Sequence, residues 1–284
     1  MRLAVVSDIH GNYKALEAFL EYLEVKKADF LICLGDYVTD GPYPKRTIKL
    51  LHEMAEKYPC VMMRGNREQY LIDNARSPKG WHISSANGSL FYTSQQVTAG
   101  DLAFFESLPC VKALEQKECP PTLLCHGSPE DLRGNVLEEK GLKERLLKEL
   151  SEDYLLGGHS HHQEIYTQSG KTYLNPGSLG LAIDGVGRRA QFAMLTTDKV
   201  ADRTVYKQKL CSIPYDVDGY LKDFKEAGLD EYGLVLNRAV KKTLVTGVNY
   251  FFNAVVEAVK LSGKPLPDIS EAVWKEVAEK LEIE

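Results

Sequence analysis

A chain of 284 residues with 44% apolar and 26% charged content can bury a large core, as one domain or as a domain with an appendage. Its net charge of −5 leaves no basic footprint, so duplex nucleic acid is not an expected partner, and no apolar run reaches the length of a membrane span. Met1-Arg2-Leu3 runs straight into an apolar stretch instead of a secretory signal, and the six cysteines form no C-x-x-C pair; together these predict a cytoplasmic protein with reduced thiols.

Residues 3–6, 30–34 and 60–63 are apolar runs that predict buried strands. Between them, Leu16, Phe19, Leu20 and Leu23 recur at helical spacing behind Asn12 as N-cap, and a second helix starts near Pro44 with Ile48, Leu51 and Met54 on one face. This β-α-β-α-β order predicts a parallel sheet with right-handed crossovers. Residues 76–120 are less regular, although Thr98-Ala99-Gly100-Asp101 reads as a helix cap before Leu102, Phe105 and Leu108. Short runs at 122–125, 154–156, 164–167, 191–195 and 204–209 predict a second sheet packed on the first. Beyond Ile213-Pro214 the pattern turns helical, at 216–227, 241–261 and 269–281. The stripe Leu244, Val248, Phe251, Phe252, Val255, Val256 and Val259 is expected to serve as core, as an oligomer contact, or as a cap over a site. The predicted division is 1–213 for the main domain and 214–284 for a helical extension.

The chemistry sits at the ends of these runs. Asp8-Ile9-His10, Gly35-Asp36 and Gly65-Asn66-Arg67-Glu68 follow the first three strands; His126-Gly127 and Gly158-His159-Ser160-His161 follow two later ones. Strand ends meet at one edge of a parallel sheet, where α/β proteins place their active sites. Each motif alone is weak, since a G-D usually marks a turn. The ordered set is far more specific: two aspartates, an asparagine and four of the seven histidines, nearly all at predicted strand ends. Imidazole, carboxylate and amide oxygen without thiolate suit Mn²⁺, Fe, Co²⁺, Ni²⁺ or Zn²⁺. His159 and His161 are two apart, which on an ideal strand puts them on one face, whereas a turn could aim them apart.

The order D-x-H, G-D, G-N-x-E, H-G, G-H-x-H resembles the calcineurin-like metallophosphoesterase superfamily over residues 1 to about 210. Gly35-Asp36-Tyr37-Val38-Thr39-Asp40-Gly41-Pro42 and Asn175-Pro176-Gly177-Ser178 are similar to its small bacterial branch, which acts on phosphodiesters and dinucleoside polyphosphates. The resemblance implies an α/β fold, a four-layer α/β/β/α sandwich, here with a C-terminal helical extension. It also implies a two-metal centre, with manganese the leading ion: Asp8, His10 and His161 on the first ion, Asn66, His126 and His159 on the second, and Asp36 bridging. The expected reaction is hydrolysis of a small phosphorylated substrate, a nucleotide among the candidates, by a hydroxide activated between the metals. Asp36, Arg67 and His126 are the expected catalytic residues. The alternatives are a phosphomonoesterase or protein phosphatase, and a non-catalytic scaffold of the same fold. The expected partners are that substrate and, through the C-terminal helices, a second copy of the chain; no membrane is expected.

One position departs from the superfamily pattern. Where it commonly carries histidine after G-N, this chain has Arg67. Arginine stays protonated and is a poor general acid, but it clamps phosphoryl oxygens well. The competing reading pairs Arg67 with Glu68, Asp73 or another surface acid. Tyr37, Asp40 and Tyr43 on the loop after Asp36 are expected substrate contacts or ordinary loop residues; His82, His162, Arg188 and Arg189 are expected at the surface or in packing. Asn175 to Ser178 either offer N–H groups to a phosphate or form a plain turn.

Overall fold

The computed structural model describes residues 1–137 and 139–283. In chain order the elements are β1 (Arg2–Val6), α1 (Tyr13–Lys26), β2 (Phe30–Cys33), α2 (Pro44–Lys57), β3 (Cys60–Met62), α3 (Asn66–Arg76), α4 (Gly88–Ser94), α5 (Ala99–Ser107), β4 (Val111–Ala113), β5 (Thr122–Cys125), α6 (Leu142–Glu149), β6 (Tyr154–Leu156), β7 (Gln163–Gln168) and β8 (Lys171–Pro176). Two long strands follow, β9 (Arg189–Val200) and β10 (Arg203–Pro214), then α7 (Val217–Glu226), α8 (Asp230–Thr246), α9 (Tyr250–Ser262), a 3-10 turn (Leu266–Asp268) and α10 (Glu271–Lys280).

β1 shows how the layers arise. Its side chains alternate between two faces. Leu3 and Val5 join Ile32, Leu124, Leu156 and Leu174 in a core between two sheets, while Ala4 and Val6 join Leu16, Phe19 and Leu51 of α1 and α2 in a core on the outer face. On the far side, Cys125, Leu155 and Tyr173 pack against Leu142, Leu146 and Leu147 of α6. The order is helices, sheet, sheet, helix. The first sheet runs β10-β9-β1-β2-β3 and the second β4-β5-β6-β8-β7. The pairs β1·β2 and β2·β3 are parallel, as the crossover rule requires, and so are β5·β6 and β6·β8.

Two sequence expectations change here. The runs at 191–195 and 204–209 belong to β9 and β10, which form an antiparallel ribbon that extends the first sheet beside β1 and not the second. The second sheet is completed instead by β4 and β8, which the sequence reading did not predict. β4 has three exposed residues and no apolar run, while the buried Tyr173 and Leu174 of β8 are flanked by Lys171, Thr172, Asn175 and Pro176, so neither carries a strong apolar signal. The helix expected at 241–261 is two helices. Gly247 ends α8 in the left-handed region (φ 72°), and the Asn249 side chain accepts from the N–H of Phe252 to start α9.

The C-terminal helices hold one core of their own, with Trp274, Val277, Ala254 and Ala258. A second core is shared with the main body: Tyr220, Phe224 and Leu244 pack with Tyr13, Tyr92 and Leu181. α8 is kinked at Leu234 (φ 40°), where the N–H of Val235 donates to Ser85 Oγ at 3.1 Å. Among the described residues no helix is long and apolar enough to cross a membrane.

Candidate metal centre

Each chain segment leaves its strand and turns sharply at the sheet edge. Of the seven residues expected as metal ligands, Asp8, His10, Asp36, His159 and His161 all have φ between 48° and 66°. L-residues rarely adopt this left-handed region, at a cost of order 1 kcal/mol or more each, and it persists where surrounding contacts enforce it. The enforcing contacts are visible. The N–H of Asp8 donates to the Gly35 carbonyl and that of His10 to the Asp36 carbonyl, both at 3.0 Å, which ties the first two ligand loops together. The His159 N–H donates to Asp8 Oδ2 at 3.0 Å, joining a loop 151 positions away in the chain.

The seven side chains meet in two groups. Asp8, His10 and His161 form one; Asp36, His126 and His159 form the other, each set with ligand atoms within 4.8 Å of one another. Asn66, at the first turn of α3, puts Oδ1 3.0 Å from His126 Nε2 and so joins the second group. Asp36 lies between the groups. Its Oδ1 accepts from the Arg67 backbone N–H at 2.8 Å, while its Oδ2 is 3.4 Å from His126 Nε2 and 3.8 Å from His10 Nε2. The sharing of His159 and His161 between groups is possible because they lie beyond β6, in a loop, and not on an ideal strand.

Hydrogen bonding prepares these groups for a cation. His126 Nδ1 donates to the Leu34 carbonyl at 2.9 Å, His161 Nδ1 to the Leu181 carbonyl at 2.8 Å, and His10 Nδ1 to Asp40 Oδ2 at 3.1 Å. In the neutral rings this leaves every Nε2 as a lone pair pointing inward. His10 and His161 face each other Nε2 to Nε2 at 3.0 Å. Asp8 Oδ1 is buried without a hydrogen-bond partner, 3.2 Å from His161 Nε2. Potential ligand atoms thus converge on both sides of Asp36. The electrostatics agree. Burial works against charging His10 and His126, yet Asp40 and Asp8 lift the first and Asp36 and Asp8 the second, each to about 9. His159, buried and beside His126, falls to about 4. Burial would raise the Asp36 carboxyl, but His126 and His10 hold it at about 2. The site draws positive charge, and two divalent cations fit its donor set.

Around this centre three residues do work that the sequence reading did not assign. Glu68 accepts from the backbone N–H groups of Asp36 (2.9 Å), Tyr37 (2.8 Å) and Gly65 (2.9 Å), so one carboxylate pins both loops that carry Asp36 and Asn66. Gly65 is required by the same closeness, because a Cβ there would lie 2.2 Å from Asp36 Oδ1. Asp40 accepts from His10, from Thr39 Oγ1 at 3.1 Å and from Ser89 Oγ at 2.7 Å, and pairs with Arg67 Nη2 at 3.3 Å. The signal for Glu68 was present in the G-N-x-E text, and its bond to Gly65 is a local cap; only the fold brings the Asp36-Tyr37 backbone within its reach.

Arg67 does not pair with Glu68 or Asp73, as the competing reading held. Its guanidinium joins Asp40 and approaches Asp36 Oδ2 at 3.9 Å, and these two carboxylates keep it charged despite burial. Its Nε has no hydrogen-bond partner. Tyr37 is a packing residue whose hydroxyl donates to the Met63 carbonyl at 2.7 Å. Asn175 and Ser178 brace the ligand loops: Asn175 Nδ2 donates to the Gly158 carbonyl at 2.7 Å and Ser178 Oγ to the Asp8 carbonyl at 2.7 Å. His162 contacts Asp184, His82 contacts the Gly80 carbonyl, and Arg188 pairs with Asp218, all away from the centre.

The centre opens into a cavity of about 620 Å³. His10, Asp36, Asn66, Arg67, His159 and His161 line its polar part, with Asp8 and His126 fully buried behind. The facing wall is apolar and comes from the C-terminal helices: Leu236 of α8, Phe251, Phe252 and Val255 of α9, and Leu266 and Pro267 of the 3-10 turn. Tyr70, Lys79, Trp81 and Arg133 also line it, none of them singled out by a sequence motif.

Comparison with known proteins gives a consistent picture. Residues 1–163 match the family model described as calcineurin-like phosphoesterase. The serine/threonine-protein phosphatase 2 of Escherichia coli strain K12 is 27% identical over 192 residues, 61% of this chain and 86% of that protein. The phosphodiesterase YfcE of the same strain is 35% identical over 74 residues, 23% of this chain and 39% of that one. The crystal structure of a metallophosphoesterase from Sphaerobacter thermophilus superposes with a TM-score of 0.66 at 24% identity, covering 87% of this chain and all of that one (100%). With more than half of its length under one family model and two Asp/His groups at the expected sheet edge, the chain belongs to the calcineurin-like phosphoesterases, a family of dinuclear-metal hydrolases.

Proposed function

We propose that this protein hydrolyses small phosphodiesters or dinucleoside polyphosphates at a two-metal centre held by Asp8, His10, Asp36, Asn66, His126, His159 and His161. The observation that carries the reading is the convergence of inward Nε2 lone pairs and carboxylate oxygens on both sides of Asp36 Oδ2. Manganese is the leading ion, and iron, zinc, cobalt and nickel suit the same donors. Two such cations lower the pKa of bound water and neutralise charge on a phosphoryl group. The chain's own residues do the rest. Asp36 spans the two groups, His126 is held by Leu34 with its Nε2 inward, and Asp40 orients both His10 and Arg67. Arg67 stands at the mouth of the centre as a clamp for a phosphoryl oxygen.

A phosphodiester preference is supported by the loss of a titratable acid at position 67, because activated leaving groups depart without protonation. A protein-phosphatase reading is favoured by the name of the 27%-identical relative, but a cavity of about 620 Å³ with an apolar helical wall suits a small organic phosphoester better. A non-catalytic scaffold is disfavoured by the complete donor set. We further read residues 214–284 as a cap on the main domain at 1–213. The exposed Val245, Val248, Val256, Val259 and Leu261 are the surface on which a second copy would dock. Six free cysteines accord with a cytoplasmic location.

The test is hydrolysis of bis(p-nitrophenyl) phosphate by the full chain with Mn²⁺, against Asp36→Asn. We expect turnover to fall at least about 100-fold with lower bound metal. Near-native turnover in the variant would overturn the bridging role.

A further inference from the structure

We propose that the apolar wall of α9 and the 3-10 turn is a recognition subsite for an aromatic group of the substrate, so that the preferred substrate is a small phosphoester carrying a planar ring. This rests on the phosphoesterase reading above and adds the chemistry of the organic part.

Three observations lead there. The cavity of about 620 Å³ has the size of a small-molecule site, not of an extended groove for a polymer. It is also divided by chemistry, with imidazoles and carboxylates on one side and Phe252, Val255, Leu266 and Trp81 among the lining on the other. A phosphate at the metal edge therefore directs the remainder of its molecule toward hydrocarbon. The wall, finally, is rich in rings: Phe251 and Phe252 meet edge to face, with centroids 6.1 Å apart and planes at 78°. Rings in this arrangement present further faces and edges, to which another planar ring adds more favourably than a saturated chain.

Arg67 joins the two halves. Its guanidinium pairs with Asp40 on the metal side and lies 5.8 Å from the Phe251 ring on the other. A phosphoester held by Arg67 thus has its ring at the wall without leaving the clamp. Lys79 lines the same cavity, so a second anionic group on the ligand would also find a counter-charge. A lone hydrophobic lining can be plain packing surface; a half-buried aromatic pair facing an anion-binding centre is a paired recognition element.

The test uses non-hydrolysable probes, so it does not depend on turnover. Phenylphosphonate and methylphosphonate are titrated calorimetrically into the full-length Mn²⁺-loaded protein, with inorganic phosphate as reference. Phenylphosphonate is expected to bind at least about tenfold tighter than methylphosphonate. Phe252→Ala should bring that ratio below about threefold, and Phe252→Tyr should keep it. Val255→Ser provides a second, smaller truncation should Phe252→Ala fold poorly, and is expected to narrow the ratio in the same direction. Equal affinities in the native protein would overturn the subsite while leaving the phosphoesterase reading intact. So would a phenyl preference that survives both truncations. Failure of all three probes to bind would remove the anion centre itself, and the subsite with it.

Discussion

Arg67 and Asp40 illustrate how one side chain changes what a shared scaffold does. The backbone N–H of Arg67 holds Asp36 Oδ1, so this residue positions the Asp36 carboxylate whatever its side chain. The guanidinium adds a fixed charge, 16% exposed, beside the centre. Charge of this kind stabilises developing phosphoryl charge but cannot protonate a leaving oxygen. Arg67→Ala is expected to lower turnover of a chromogenic diester by about tenfold or more. Arg67→His restores an acid, and should raise monoester turnover relative to diester turnover. Steady-state rates on both substrate classes check this; no change in either variant would return Arg67 to a purely structural ion pair. Asp40 would then be expected to matter only through His10.

At the scale of elements, the break between α8 and α9 decides the shape of the cavity. A single helix through 241–261 would carry Phe251, Phe252 and Val255 away in a straight line. Gly247 in the left-handed region and Asn249 as N-cap instead turn the chain, and α9 lies along the cavity. Replacing an N-cap side chain with alanine costs about 1 kcal/mol. Asn249→Ala is accordingly expected to lower stability by about that amount in denaturant titration, with the larger part of the effect local to α9 in amide exchange. Uniform protection across α9 in the variant would contradict it. The capping residues Asn12 and Thr98 were readable in the sequence, because capping is a local interaction over three residues.

For the whole molecule, the metal edge is a point where strands from both sheets end and strained loops are clamped together. Left-handed backbone at Asp8, His10, Asp36, His159 and His161 and the unpartnered Asp8 Oδ1 are costs at this edge that bound cations would offset. Ligand linkage contributes about 2.7 kcal/mol per site at a hundredfold excess over Kd. Chelation is therefore expected to lower Tm by several degrees and abolish hydrolysis, with Mn²⁺ restoring both. A Tm indifferent to chelator and metal in calorimetry would contradict the two-site reading.

The sequence by itself determined the family, the parallel β-α-β core, the starts of α1, α2, α5, α7 and α10, and the set of residues that meet at the edge. These depend on periodicity, caps and short motifs, which are local in the chain. It left open where β9 and β10 pair, since an apolar run does not state its partner, and it could not see Glu68 as the clamp of two loops or Asp40 as the link between His10 and Arg67. Only tertiary structure decided that these residues fall into two groups about Asp36, and that residues of the C-terminal helices line the cavity beside them. Such contacts join residues as far apart as His10 and His161, 151 positions in the chain, and their energies depend on burial and geometry that no local pattern encodes.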